Sequence, residues 1–209
     1  LANQGVKEVT LLGQIVDRYG KDVPDGPNLA ALLRLVHEVD GIERIRFLTS
    51  HPNYFGEGLM DAVASLPRVM PHIEIPIQAG SDEVLEKMRR GYTQADYRRI
   101  IARIRERIPG ASIATDIIVG FPGETEDDFR RLMDLVEEVG FDSSFSFVYS
   151  PRPGTPAANL PDDTPREVKL ERLQRLQAAL EENVRRISAD RVGTVQRILV
   201  EGVSKKDAS

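Results

Sequence analysis

The chain has 209 residues, 41% of them hydrophobic, and a formal net charge of −5. That length supports one sizeable core with a small appendage, and the negative balance gives no global attraction for nucleic acid, leaving only a local patch. Cysteine is absent, which excludes disulfides and cysteine-ligated metals within this chain, and no apolar run or leader marks a membrane or export signal, so the simplest expectation is a soluble cytoplasmic protein.

Leu1–Gly5 reads as a helix end with a terminating glycine, so the chain is expected to begin inside a domain. Glu8–Gly13 is a short apolar strand closed by Gln14. A polar loop with Asp17, Tyr19 and Gly20 leads to Asn28, a helix N-cap ahead of Leu29, Leu32, Leu33 and Val36. Ile42–Thr49 is the next strand and ends at Ser50-His51-Pro52, and Leu59–Leu66 is a short helix. Ile73, Ile75 and Ile77 alternate as a third strand ending at Gln78-Ala79-Gly80-Ser81. Ser81 caps a helix that stops at Gly91, and Thr93 caps another carrying Tyr97, Ile100, Ile101, Ile104 and Ile108 on one face.

The stretch Ser112–Phe129 (SIATDIIVGFPGETEDDF) is the most structured. Ser112–Val119 reads as a strand buried on both faces. Gly120, Pro122 and Gly123 break it, and Thr125 caps a helix with acid in its first turn. The glycines let the backbone approach a flat or anionic ligand; a βα corner with no ligand explains them equally well. Ser144–Tyr149 is the fifth strand, followed by the proline-rich run Ser150–Pro156.

Strands and helices therefore alternate through five βα-type units. Right-handed crossovers make the sheet parallel, and the absence of GxGxxG favours an α/β fold of the open, partial TIM-like barrel kind. Gln14, His51, Gln78, Thr115 with Asp116, and Tyr149 each end or lie near the end of a strand, where such barrels build their sites. Thr164-Pro165 opens a long helix with Leu170, Leu173, Leu176, Leu180, Val184 and Ile187 as its apolar stripe. Glu171/Arg175, Glu181/Arg185 and Glu182/Arg186 are i,i+4 pairs worth about 0.2–0.5 kcal/mol each. Val192–Val203 reads as a strand. The expected organisation is a barrel over 1–161, a helix packed on it over 162–190, and the start of a small β domain over 191–209.

The runs Val9–Gln14 with Tyr19-Gly20, Ile77–Tyr92 (IQAGSDEVLEKMRRGY), Thr115–Phe129 and Tyr149–Ala158 (YSPRPGTPAA) resemble the radical S-adenosylmethionine (SAM) methylthiotransferases, within them the tRNA-modifying MiaB type. Ribosomal-protein methylthiotransferases are less similar. The resemblance covers essentially the whole chain. It implies a partial barrel lacking its first strand, with a 4Fe–4S cluster held by a CxxxCxxC motif on a loop ahead of Leu1, a second cluster in a further domain, and a TRAM-type RNA-binding domain beginning near Arg191. The chain is accordingly expected to be a fragment of the catalytic core, inactive alone for want of cluster cysteines. At Ile15 and Asp17 the tRNA enzymes usually carry Asn.

The implied reaction is methylthiolation at C2 of a modified adenosine in the tRNA anticodon loop, with an adenosyl radical abstracting hydrogen and sulfur then inserted. The implied partners are tRNA and a reductant such as flavodoxin or ferredoxin, with a monomeric protein and no membrane. For SAM the resemblance implies Gln14, Gln78, Ser81, Thr115, Asp116, Ile118, Val119, Gly120 and Tyr149. Gln14 could equally make a loop hydrogen bond, and the Ser81 hydroxyl serves as a helix cap. Asp116, an acid in an apolar run, must be paired or hydrogen-bonded, and a structural pairing with Arg46 or another barrel arginine explains it as well as a ligand does. Glu124 is as well explained by the turn as by a ligand. For the substrate it implies Arg152, held between prolines, and Arg89 and Arg90, which with Lys87 also suit the end of a helix. The histidines have no metal spacing, and no metal ligand is assigned. Two other classes stay open: another barrel enzyme such as an aldolase, disfavoured because no lysine ends a strand, and a non-catalytic RNA-binding or scaffold piece.

Overall fold

The computed structural model describes residues 1–200 together with Gly202 and Val203. Five parallel strands alternate with helices: β1 (Glu8–Leu11), α1 (Leu29–His37), β2 (Arg44–Phe47), α2 (Glu57–Ser65), β3 (His72–Glu74), α3 (Asp82–Lys87), α4 (Gln94–Arg107), β4 (Ser112–Val119), α5 (Glu126–Val139), β5 (Ser143–Val148) and α6 (Arg166–Asp190). The strands lie in chain order. β1 pairs with β2, and β3, β4 and β5 form a second ladder. A bridge from Ile45 to Val69 and a bond from the Ser50 N–H to the Glu74 carbonyl (3.0 Å) join the two ladders, giving the expected open parallel arrangement without closure.

Local chemistry sets the helix starts. The side chains of Asn28, Ser81, Thr93 and Thr125 each accept a backbone N–H at their helix N-terminus, and the last two make full capping boxes with Asp96 and Asp128. Each satisfies donors that a helix end leaves orphaned.

The first three strands are shorter than their sequence patterns, whereas β4 has its expected bounds and β5 is shifted by one residue. The second ends at Phe47 because Thr49 takes φ 66, and the third ends at Glu74. Pro76 has no N–H for a ladder, and Gln78, at φ 72, rejoins β4 only by a bridge to Ile117. α3 ends at Lys87 because Arg89 turns left-handed, at φ 56.

Every second residue of β2–β4 (Ile45 and Phe47; Ile73; Ile113, Ile117 and Val119), with Ile75 and Ile77 just past β3, enters one continuous core with the helices. The opposite face carries Arg44, Arg46, His72, Glu74, Asp116, Ile118, Phe145 and Phe147, all partly or fully exposed. β4, expected to be buried on both faces, is thus partly open on the side of Asp116 and Ile118, and on β5 Phe145 and Phe147 stand open to solvent.

α6 is where the apolar pattern misleads. Its buried residues are Lys169, Arg172, Leu176, Leu180 and Asn183, whereas Leu170 and Val184 are exposed. Of the expected ion pairs, Arg185 lies 3.4 Å from Glu181; Arg175 reaches instead to Glu126 (2.8 Å) and Arg186 to Asn183 (3.0 Å). Arg175 is drawn off by a tertiary partner that outbids a solvent-exposed pair of small value, whereas Arg186 turns to a neighbour one turn back on α6 itself. The strand expected over Val192–Val203 is not formed among the described residues; the expected β domain over 191–209 extends into Glu201 and 204–209, which lie outside them. A lone strand has no ladder to satisfy its N–H and C=O groups.

Candidate functional site

The C-terminal ends of β4 and β5 and the loop after α3 enclose a cleft of about 570 Å³. Three local features build it. The left-handed Arg89 throws the chain back after α3 and sets Lys87, Met88, Arg89 and Arg90 along one wall. Ile118, on the open face of β4, and Phe121, in the turn beyond it, make the floor. Phe147, Tyr149 and the loop through Arg152 to Ala157 make the other wall, where Thr155 donates its N–H (3.2 Å) and hydroxyl (2.8 Å) to the Arg152 carbonyl. The Tyr149 and Phe121 rings meet edge-on at 4.9 Å. Four cations and no carboxylate line the cleft.

Arg90 is the pivot. Its Nη2 donates to Gln78 Oε1 (2.7 Å), and its Nε is buried with no partner. Its charge faces Asp116, whose pKa is raised by burial and held back by that guanidinium. Burial, with Arg90 adding to it, also lowers the pKa of His51. Glu74, on the neighbouring strand β3 of the same open face, is raised by burial and by the Asp116 charge, while the Thr49 hydroxyl opposes this. The Tyr149 hydroxyl is likewise buried without a partner. A guanidinium N–H and a phenol left unpaired beside an aromatic slot are what a polar ligand would complete.

Of the residues expected at the site, Ile118, Tyr149, Arg89, Arg90 and Arg152 share the cleft, and Gln78 and Asp116 join it through Arg90. The others lie elsewhere. Gln14 is exposed in the loop after β1. The Ser81 hydroxyl accepts the Val84 N–H (3.3 Å) and borders a separate cavity of about 170 Å³. Thr115, fully buried on the helix side, accepts the Ile77 N–H at 3.0 Å, and Val119 is buried on that side too.

Gly120, at φ 68, is needed for close approach, but the approaching group is Lys169: an added Cβ would stand 2.6 Å from its Cγ. Glu124 is structural. It accepts the Gly120 N–H (2.9 Å) and pairs with Arg172 (2.9 Å), both side chains almost wholly buried. Arg46 pairs with Glu8 (2.9 Å) rather than with Asp116. The sequence pattern passed over Phe121, Phe147, Glu74, Lys169 and Arg172; only Phe121, inside the glycine turn, carried a local signal. No group of three or more potential metal ligands occurs among the described residues.

This open parallel α/β frame, with its cleft at the strand C-termini, is that of a known class: the chain belongs to the Radical SAM superfamily, whose model matches residues 1–136. More particularly, it is 57% identical, over 99% of its length, to the tRNA-2-methylthio-N(6)-dimethylallyladenosine synthase of Janthinobacterium sp. (strain Marseille), covering 47% of that relative. It is 59% identical to the synthase of the same name from Leptothrix cholodnii, covering 99% of this chain and 45% of that one. The chain thus spans about half the length of the curated relatives it matches. Among solved structures it is similar in fold to coproporphyrinogen III oxidase (HemN) of Escherichia coli, with a TM-score of 0.58, 21% identity, and coverage of 73% of this chain and 36% of that one. Streptococcus suis SuiB gives a TM-score of 0.54 at 16% identity, covering 92% and 39%.

Proposed function

We propose that this chain forms the SAM- and nucleoside-binding part of a tRNA methylthiotransferase. The observation that carries the reading is the Gln78–Arg90–Asp116 group opening onto an aromatic-walled cleft. The relatives' names supply the tRNA substrate.

The chain's residues fit SAM and do not fit an iron–sulfur cluster. A cluster needs thiolates, and the sequence has none. SAM has a carboxylate for the unpaired Arg90 Nε, hydroxyls and an ammonium for Asp116, and a purine for the slot of Ile118, Phe121 and Tyr149. When bound and reduced, it would supply a radical able to take hydrogen from a carbon. Gln78 orients the guanidinium, Arg90 favours the ionised form of Asp116 against burial, and the aromatic walls exclude water. The reading includes an external reductant such as flavodoxin or ferredoxin, a monomeric protein and a cytoplasmic setting. No helix among the described residues is long and apolar enough to cross a membrane.

The test is SAM affinity by calorimetry on the whole protein. Arg90→Met and Asp116→Asn should each weaken SAM at least about tenfold, roughly 1.4 kcal/mol, with melting temperature little changed. Asp116→Asn should also reduce turnover more than stability. Unchanged SAM affinity in both variants would remove this group from the cofactor site. Mass spectrometry of tRNA nucleosides after reaction reads the substrate: no methylthio-adenosine would end the tRNA assignment.

A further inference from the structure

SAM accounts for one of the four cations in the cleft, Arg90, and leaves Lys87, Arg89 and Arg152 without a task. All three are exposed, and none makes a side-chain hydrogen bond or ion pair to another described residue. In a chain with 33 acidic residues against 28 basic ones, three free cations on one cleft is a local excess. Elsewhere the arginines are mostly engaged, as Arg98 is with Glu138 (2.7 Å) and Arg172 with Glu124 (2.9 Å). SAM is itself cationic at sulfur, so it does not call for them.

Their placement is fixed by backbone. Arg89 sits at φ 56, a strained setting for a side chain bearing a Cβ. Arg152 lies between Pro151 and Pro153, with its carbonyl held by Thr155. Lys87, in the last turn of α3, extends across Gly123, its Nζ 2.8 Å from where a Cβ would stand. Preset backbone lowers the entropy lost when such charges engage a ligand.

We propose that Lys87, Arg89 and Arg152 form a phosphate clamp for single-stranded RNA, gripping phosphodiesters on either side of the nucleotide presented to the cleft. Opening of the stack at that nucleotide is part of the binding, because its base must leave its neighbours to reach the slot. Guanidinium forks suit phosphate oxygens, and no salt bridge has to break first. The clamp rests on the tRNA reading above and specifies which groups of the RNA are held.

Three contacts to a single strand give a slope in log affinity against log salt of about −0.7 each. They alone should cost roughly 20-fold in affinity between 50 and 200 mM salt. The measurement is fluorescence anisotropy of a labelled anticodon stem-loop RNA on the whole protein, over that salt range. Lys87→Gln, Arg89→Gln and Arg152→Gln together should flatten the slope by about 2 and weaken binding, with SAM affinity retained. Arg89→Lys with Arg152→Lys, which keeps the charges, should keep the slope, and it carries the test should the triple variant melt early. Equal slopes in wild type and triple variant overturn the clamp. Binding lost equally in the charge-keeping variant makes the arginines structural and overturns it as well. RNA binding that is absent from wild type removes clamp and tRNA substrate together, whereas normal RNA binding with no SAM affinity sinks only the cofactor reading.

Discussion

His72, on the open face of β3, has its Nδ1 3.0 Å from the Ser112 hydroxyl. Burial lowers its pKa; Arg46 adds to this and Asp142 opposes it. The folded state therefore holds fewer protons than the unfolded chain, whose histidine titrates near about 6.5. The neutral ring's contribution is present above that value and is lost as pH falls through it toward the folded pKa. His72→Asn, which keeps a polar partner for Ser112, should make the fall of melting temperature from about pH 7.5 to 5 shallower. An equally steep fall would mean that His72 carries none of the dependence. Asp17 works in the opposite sense. Burial raises its pKa although the His51 N–H (2.9 Å) stabilises the carboxylate, and Oδ1 has no partner. Its contribution is present below about 4 and is lost as pH rises through the folded pKa.

At the scale of elements, α6 holds the cleft floor. Arg172 donates to the Glu124 side chain and carbonyl, and Glu124 in turn accepts the Gly120 N–H ahead of Phe121. Lys169 lies over Gly120 and pairs with Asp162. The methylene stems of Lys169 and Arg172 bury like apolar residues while their charges find partners. Burial raises the Glu124 pKa, with Gly120 and Arg172 opposing it. Arg172→Met should strand a buried acid and cost about 3–5 kcal/mol by urea unfolding. Adding Glu124→Gln should recover much of that, since the amide oxygen still accepts the Gly120 N–H. A single variant within 1 kcal/mol of wild type, on the order of a surface pair, would show the network to be dispensable.

At the scale of the whole molecule, the described residues share one core. A continuous set of buried residues runs from Val16 through Leu33, Phe47, Ile75, Tyr97 and Phe129 to Leu180, crossing from the two-stranded ladder to the three-stranded one. Helices from both halves insert into it, so neither ladder has an apolar face it can bury alone. Urea should therefore unfold the chain in one transition. Methyl NMR of Met60, buried in α2, and Met133, in α5, reports on the two halves. Coincident midpoints are expected, and midpoints that separate would divide the fold at the junction of the ladders.

What the sequence determined by itself was the local grammar: alternating strands and helices, the caps at Asn28, Ser81, Thr93 and Thr125, the turn at Gly120, and through them the open parallel frame. Each depends on groups within a few residues, so periodicity and cap chemistry suffice. Motif resemblance added the superfamily and brought Ile118, Tyr149, Arg89, Arg90 and Arg152 into view. Tertiary structure alone decided that Arg90 bonds Gln78 and sets its charge within reach of Asp116, that Lys169 and Arg172 rather than Leu170 and Val184 are the buried side of α6, and that Gly120 faces a lysine. In α6 the deciding partner, Glu124, is 48 residues from Arg172 along the chain. A charge buries only where its counter-charge waits, and no hydrophobic pattern records where that is.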